Sequence, residues 1–211
     1  MKPQFCVALL ADLVDSRAAA DRAALHGRVT DALGAANARF RPLDPLRVTV
    51  GDEFQGVFGS VGEALAASYA IRLALGAGDD VRFGLGRGRV QVIEATHNVQ
   101  DGSAWWAARE ALEDIEQRAR GAHRVLRTGL AAGEDAAPID PALRTAVALV
   151  DVLLAGLDEP GRVILALLLG GQAQADAADA LGISRSAVSQ RVARSGVAVL
   201  VDAIQALREV P

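Results

Sequence analysis

The chain has 211 residues, with 22 basic and 26 acidic side chains, and its net charge of −4 gives the protein as a whole no attraction to nucleic acid. It is 51% hydrophobic and 23% charged, which excludes a disordered chain, and no apolar run approaches the roughly 20 residues that span a membrane. The single cysteine, Cys6, excludes an intramolecular disulfide and a thiolate zinc site, so we expect a cytoplasmic protein.

The first 128 residues alternate between strand-like and helix-like patterns. Residues 5–10 are an apolar run that predicts a buried strand. Three later segments carry apolar residues at helical spacing and predict helices. These residues are Leu25, Val29, Ala32, Leu33, Ala36 and Phe40 in the first helix, Val61, Leu65, Ile71 and Leu75 in the second, and Trp105, Ala108, Leu112, Ile115 and Ala119 in the third.

Two predicted hairpins lie between these helices. Residues 46–50 and 54–58 are strand-like runs joined by a Gly-Asp-Glu turn. Residues 81–85 and 90–93 predict a second hairpin that turns at residues 86–88. The order β-α-β-β-α-β-β-α is typical of an α+β fold in which helices cover one face of an antiparallel sheet.

The composition changes at residues 129–141, which are rich in glycine, proline and small residues and have no hydrophobic period. This segment predicts a linker between a domain at 1–128 and a helical domain at 142–211. We expect four or five helices in the second domain, and the apolar run at 163–169 predicts a buried central one. The periodic residues of the first and last helices are Leu143, Val147, Val150 and Leu154, and Val197, Leu200, Ile204 and Leu207.

Residues 172–195 predict a helix-turn-helix. Gly182 supplies the turn and Ser184 is a good N-cap for the second helix. Small and β-branched residues are expected to pack between the two helices. They are Ala177, Ala178, Ile183, Val188 and Val192.

The outer face of the second helix carries arginine, serine and glutamine, and residues 184–195 contain no acid. Arginine pairs with guanine, glutamine with adenine, and serine with phosphate, so this face predicts DNA binding in the major groove. An ordinary helical hairpin with a solvated arginine face is the alternative. The segment resembles the helix-turn-helix of the fourth region of sigma-70 factors. The candidate DNA-binding residues are Ser184, Arg185, Ser186, Ser189, Gln190, Arg191 and Arg194.

Acidic residues lie at the ends of predicted strands in the first domain. Asp12 and Asp15 follow the first strand, and Asp52 and Glu53 occupy the turn of the first hairpin. If these elements adjoin, the carboxylates converge, and oxygen ligands of this kind suit Mg²⁺ or Mn²⁺ holding a triphosphate. The alternative is that each is a cap or a solvated loop residue.

Four motifs resemble those of class III nucleotidyl cyclases, in the family's order. Residues 11–16 resemble the first metal motif, and residues 47–58 resemble the second, which is also similar to the hairpin of GGDEF diguanylate cyclases. Residues 81–90 resemble the next strand-turn-strand, and residues 107–109 the helix with the transition-state arginine. This implies a ferredoxin-like, nucleotidyl-cyclase-like sheet. The combination with a helix-turn-helix resembles the SatD family of bacterial proteins.

The resemblance implies that Asp12 and Asp52 bind the metal and that the Leu13 carbonyl is a backbone ligand. Two positions depart from the cyclase pattern: Trp105 replaces an asparagine and Val48 replaces a purine-reading lysine. We therefore expect altered base reading and weak or absent catalysis. The candidate catalytic residues are Arg109 and Glu53, and the candidate nucleotide-binding residues are Leu13, Val14, Asp15, Ser16, Arg47 and Trp105.

The leading interpretation is a DNA-binding transcriptional regulator whose cyclase-like domain binds a nucleotide–metal complex. The alternative is a nucleotidyl cyclase or related nucleotidyltransferase that acts on a nucleoside triphosphate. In a third interpretation the helical segment packs on the first domain or on a protein partner and never meets DNA. A homodimer is expected because cyclase sites form between two such domains and operators usually bind dimers. The predicted partners are DNA and a nucleoside triphosphate or signalling nucleotide, with no membrane contact.

Overall fold

The computed structural model describes residues 4–16, 19–76 and 78–211. The elements alternate in the predicted order, but the two strands predicted at 81–85 and 90–93 are one strand, the fifth strand lies at residues 99–101, and a further strand follows the third helix. None of the helices in the described residues is long and apolar enough to cross a membrane. The elements are β1 (Gln4–Leu13), α1 (Arg22–Phe40), β2 (Asp44–Val48), β3 (Glu53–Phe58), α2 (Val61–Ala74), β4 (Val81–Glu94), β5 (Val99–Asp101), α3 (Ser103–Ala119), β6 (Thr128–Ala132), α4 (Pro141–Ala155), α5 (Glu159–Leu169), α6 (Gln174–Leu181), α7 (Arg185–Arg194) and α8 (Val197–Arg208).

The six strands of the described residues form one sheet in the order β2-β3-β1-β4-β5, and β6 also pairs with β4. Strand β4 is long enough for two neighbours on one side, since β6 pairs with residues 83–87 and β5 with residues 91–94. The β4–β6 pair is parallel and the other pairs are antiparallel. The sheet is therefore mixed, whereas the sequence predicts an antiparallel one.

Helices cover both faces of the sheet. On β1, Ala8 and Leu10 pack with α3, whereas Val7 and Leu9 belong to the core that contains α1 and α2. Neighbouring side chains on a strand point to opposite faces, so an apolar run such as β1 is buried from both sides. The prediction that helices cover one face only is therefore wrong.

Strand β4 passes straight through residues 86–88, where the sequence predicts a hairpin turn, so that prediction is wrong. A Cβ atom on Gly86 would lie 2.1 Å from the Ala104 carbonyl oxygen of α3, and one on Gly84 would lie 2.2 Å from the Ala108 carbonyl oxygen. The glycines let α3 lie directly on the strand and do not mark a turn. The hairpin comes later, between β4 and β5.

The prediction of a linker over residues 129–141 is also wrong for its first residues, because residues 129–132 belong to β6. Gly129 pairs with Gly84 of β4 and is buried. A Cβ atom on Gly129 would lie 2.2 Å from the Ala111 carbonyl oxygen, so this glycine again permits close packing of α3. Only the residues after β6 connect the sheet to α4.

Helices α4–α8 share a hydrophobic core with α1 and α2. The buried cluster joins Leu65 and Ile71 of α2 with Ile164 of α5 and Leu200 of α8. Beyond the end of α8, the Val210 carbonyl accepts a hydrogen bond of 2.9 Å from the backbone N–H of Gly62. The helices therefore pack on the first part of the chain, and the division into domains at 1–128 and 142–211 stays a prediction.

A buried ionic network joins α4 to the sheet. The Asp151 side chain has no exposed surface, and its Oδ1 atom accepts a hydrogen bond of 2.9 Å from Nη1 of Arg72. Its Oδ2 atom accepts hydrogen bonds of 2.8 Å from the backbone N–H groups of Arg127 and Thr128. Arg72 also pairs with Asp80 at 2.9 Å. The network therefore connects α2 and α4 with the start of β6.

Candidate functional site

The acidic residues of both metal motifs lie at one end of the sheet. Asp12 is near the end of β1 and stands between Glu53 on β3 and Arg82 on β4 in the strand register. Asp52 precedes β3, and its backbone carbonyl accepts a hydrogen bond of 3.3 Å from the N–H of Leu13. Strand pairing therefore brings together carboxylates that are 40 residues apart in sequence, with one arginine among them.

The Asp12 carboxylate has few hydrogen-bond and ion-pair partners. Its Oδ2 atom lies 3.2 Å from Nη1 of Arg82, and the same Nη1 atom lies 3.7 Å from Oε1 of Glu116 on α3. Its Oδ1 atom is buried and has no hydrogen-bond partner among the described residues. Burial raises the pKa of Asp12, Arg82 opposes that effect, and the charges of Glu116, Asp52 and Glu53 add to the rise, so that the pKa is about 6. When it is ionised, the Asp12 carboxylate therefore has too little positive charge near it to balance its own negative charge.

Asp52 has different neighbours from Asp12. Its Oδ2 atom accepts a hydrogen bond from the buried Ser16 hydroxyl. Asp52 and Ser16 also line a cleft of about 30 Å³ beside Leu25 of α1. Within the described ranges, no group of three or more His, Cys, Asp and Glu side chains is placed to hold a metal ion.

The carboxylates present nevertheless fit a cation with few protein ligands. Mg²⁺ is commonly held by one or two carboxylates, with phosphate oxygens and water completing its shell. The partnerless Oδ1 atom of Asp12 is a free oxygen ligand, and the Asp52 charge is close enough to raise the Asp12 pKa. Arg82 is the competing positive charge already at this position.

The β1–α1 loop forms one wall of a pocket of about 200 Å³. The wall consists of residues 13–16, and Asp15 is exposed in a left-handed conformation with φ of 53°. The opposite wall carries Asp79 and Asp80, each paired with an arginine at 2.6 Å: Arg28 for Asp79 and Arg127 for Asp80. The predicted nucleotide-binding residues of this loop therefore lie together in an open pocket.

The candidate catalytic residues Arg109 and Glu53 contact each other on the α3 side of the sheet. Nη2 of Arg109 lies 3.1 Å from Oε2 of Glu53, and both side chains are more than one-third exposed. Arg109 lines a pocket of about 560 Å³ with Trp105 and Trp106. The Trp105 indole N–H is buried and has no partner in the part of the chain that the structure describes. Trp106 is 67% exposed, so it is a surface residue and not part of the core.

Arg47 is engaged elsewhere. It lies on the edge strand β2, and its Nη1 atom is 2.6 Å from Oδ2 of Asp44. Asp44 also accepts a hydrogen bond of 3.0 Å from the Gln100 side chain. Among the described residues, no hydrogen bond or ion pair joins Arg47 to Asp12 or Asp52. In the described residues, Arg47 therefore makes no polar contact with the aspartates of the two metal motifs.

Helices α6 and α7 are joined by the short turn 182–184. Gly182 has φ of 64°, and the Ile183 N–H donates to the Ala178 carbonyl at 3.1 Å, which ends α6 in a Schellman motif. The Ser184 hydroxyl caps α7 by accepting a hydrogen bond of 3.2 Å from the Ala187 N–H. Ile183 is 36% exposed and does not belong to the buried core, so the expectation that it fills the core between the helices is wrong. Ala177, Ala178 and Val188 are buried and Val192 is half-buried.

Most of the candidate DNA-binding residues face solvent. Arg191 is half-buried and pairs with Asp158 at 2.6 Å. Arg185 and Arg194 form no ion pair with any described residue. The exposed residues of this face are Ser184, Arg185, Ser186, Ser189, Gln190 and Arg194.

Two kinds of cyclase are similar to this chain among solved structures. A bacterial light-regulated adenylyl cyclase aligns with 62% of this chain at a TM-score of 0.48 and 12% identity. This chain covers 44% of that structure, which is less than half of its length. The guanylyl cyclase Cya2 aligns with 55% of this chain and 71% of its own, at a TM-score of 0.34 and 13% identity.

Sequence comparison gives one family. No curated protein matches the chain. The model of the SatD family matches residues 6–210, which include both the sheet and all five helices that follow it in the described chain. The chain therefore belongs to the SatD family.

Proposed function

We propose that this chain binds a nucleoside triphosphate with Mg²⁺ or Mn²⁺ at the end of β1 and acts on it as a slow nucleotidyl cyclase or related nucleotidyltransferase. The observation that carries the proposal is the buried Oδ1 atom of Asp12, which has no partner in the described residues and belongs to a carboxyl of raised pKa. A carboxylate in this state gains most from a bound cation. The resemblance of residues 11–16 and 47–58 to the cyclase metal motifs supports the same position.

Each residue of the site has a specific role in the proposal. Asp12 and Asp52 would hold the cation, which when bound neutralises phosphate charge. A hydroxyl oxygen attacks the α-phosphorus, the bond to pyrophosphate breaks, and the hydroxyl proton passes to a basic group or to water. The Arg109 side chain is exposed, so it can leave Glu53 and bind the phosphate oxygens of the leaving pyrophosphate. There its guanidinium would stabilise the negative charge that develops on those oxygens. A homodimer remains part of this proposal.

Pyrophosphate release from each of the four nucleoside triphosphates tests the proposal. We expect slow release with Mg²⁺ or Mn²⁺, since Trp105 and Val48 replace groups that position the substrate in cyclases. Asp52→Asn should reduce release to background, because the amide has no negative charge to hold the cation. The amide oxygen can still accept the hydrogen bond from Ser16, so the local structure should be kept.

Asp114→Asn is the matched control. Asp114 is an exposed residue of α3 that pairs with Arg118 at 3.4 Å, so its amide variant should leave release unchanged. If all four triphosphates remain intact with the wild-type chain, the catalytic part of the proposal is wrong. If no triphosphate binds in the presence of Mn²⁺, the binding part is wrong as well.

DNA binding by α7 is the second candidate function. The observation that favours it is the exposed outer face of α7, where Arg185 and Arg194 have no acidic partner among the described residues. Helix α7 follows the Schellman end of α6 after a short turn, so its first residues project from the surface. Such a helix can enter the major groove with its N-terminal residues against the bases.

A mobility-shift assay with DNA from upstream of the gene tests this second function. Replacing both Arg185 and Arg194 by Gln should weaken binding by at least tenfold and reduce its dependence on salt, because two phosphate or base contacts are lost. Arg144→Gln, an exposed arginine of α4, should have little effect. Absence of any shift with the wild-type chain at low salt would mean that α7 does not bind DNA.

A further inference from the structure

A pocket of about 160 Å³ lies where α1 and α2 meet α5 and α8. Its apolar lining comes from all four helices, with Phe40 of α1, Leu73 of α2, Leu169 of α5 and Ile204 of α8. Leu25, near the other end of α1, lines the cleft at Asp52. Since α1 rises by about 1.5 Å per residue, the pocket lies about 20 Å from that cleft and is a separate site.

Two arginines line this pocket without a negative partner. Neither Arg39 nor Arg208 takes part in any ion pair among the described residues. Burial lowers the pKa of Arg39, and the nearby charge of Arg208 lowers it further. Both residues are exposed, so water screens part of the repulsion between the two guanidinium groups. An anion bound between them at the edge of the apolar surface would remove the rest of it.

Arg39 is also held in position. Its Nη2 atom donates a hydrogen bond to the Leu169 carbonyl oxygen, and its guanidinium carbon lies 5.0 Å from the centre of the Phe40 ring. A guanidinium fixed in this way loses little conformational freedom when it binds an anion. Gln205 lines the same pocket and can donate a further hydrogen bond from its amide.

We propose that this pocket, which we name the Arg39–Arg208 pocket, binds a small organic carboxylate with an apolar tail. The tail lies among the apolar side chains, and the carboxylate lies between the two guanidinium groups, which match a carboxylate in charge and geometry. A cavity of about 150 Å³ holds a benzene ring, so the tail has about six to eight carbon atoms. Nothing in this proposal depends on the nucleotide site.

Calorimetric titration of the full chain with octanoate at low salt tests the proposal. We expect one saturable site per chain and an increase in Tm with octanoate concentration, because the ligand binds the folded state. Arg208→Gln should weaken binding by about tenfold or more, since it removes a charge-assisted contact. Arg39→Gln should do the same. Arg144→Gln, which removes an exposed arginine of α4 outside the pocket, should bind octanoate like the wild type.

Two further measurements distinguish the contribution of the carboxylate to binding from that of the apolar tail. Octanol has the same tail without the charge and should bind at least tenfold more weakly than octanoate. Ala70→Leu adds side-chain volume to the lining of the pocket and should weaken octanoate binding, with folding checked by circular dichroism. The proposal is wrong if octanoate does not bind the wild-type chain, if octanol binds equally well, or if neither arginine variant alters the affinity.

Discussion

Asp151→Ala is expected to lower the free energy of unfolding by about 3–5 kcal/mol. The wild-type carboxylate has no exposed surface and accepts hydrogen bonds from Arg72, from the Thr128 hydroxyl and from two backbone N–H groups at the start of β6. Alanine leaves the two N–H groups without an acceptor and leaves Arg72, whose side chain is only 3% exposed, with Asp80 as its remaining partner. Buried donors and charges that lose their partner account for the size of the loss.

Urea unfolding followed by circular dichroism measures this effect. Asp114→Ala provides the control, because it removes an exposed aspartate whose ion pair with Arg118 is worth less than about 1 kcal/mol. Asp151→Asn should lie between the two, since the amide keeps one oxygen acceptor but presents an N–H₂ group to a donor. A loss below about 1 kcal/mol for Asp151→Ala would show that water or a shifted side chain replaces the carboxylate.

Asp151 also shows what hydrophobic periodicity detects and what it overlooks. The pattern at Val147, Val150 and Leu154 predicts α4 correctly, and all three residues are buried. Asp151 falls on the same face, and a single acid within an apolar face is a signal for a buried partner that sequence reasoning did not use. Its partner Arg72 lies beside Ile71 on α2, so the pair depends on a contact between distant segments.

The glycines of β4 and β6 show why local rules failed in the sheet. Glycine next to short apolar runs is typical of turns, and the sequence predicts a turn at residues 86–88 and a linker at residue 129 on that basis. The same residue is required where a helix lies directly on a strand, as α3 does over Gly86 and Gly129. The two uses of glycine differ only in tertiary contacts, which the local pattern does not contain.

The candidate site was predictable where it depends on strand ends. The sequence places Asp12, Asp52 and Glu53 at the ends of neighbouring elements, and the sheet brings them to one end. The pairing of Asp12 with Arg82 was not predicted, because it depends on the register of β1 with β4. Glu116 was not predicted either, because it reaches Arg82 from α3. These two residues set how much positive charge Asp12 receives, which determines how strongly the site needs a cation.

Asp12→Asn is expected to stabilise the protein at about pH 8 by about 1–3 kcal/mol while abolishing the proposed nucleotide reaction. The Asp12 side chain is 25% exposed, and its pKa is raised from the ordinary 3.8 to about 6. The folded chain therefore holds a proton that the unfolded chain releases between these values, and stability falls as the pH rises from about 4 to about 6. Above this range the ionised carboxylate carries its full energetic cost, which the neutral amide avoids.

Thermal unfolding of both chains across this pH range measures the difference. The two melting temperatures should converge below about pH 3, where Asp12 is protonated in both the folded and the unfolded chain, and differ most above about pH 6. Mn²⁺ should stabilise the wild-type chain at about pH 8 and not the variant, because only an ionised carboxylate binds the cation. A variant less stable than the wild type at about pH 8 would contradict the prediction and mean that the ion pair with Arg82 outweighs burial. If Asp12→Asn raises stability and abolishes the proposed reaction, Asp12 is a carboxylate whose charge serves the reaction at a cost in stability. An acid that serves stability alone, such as Asp151, weakens the fold when it is removed.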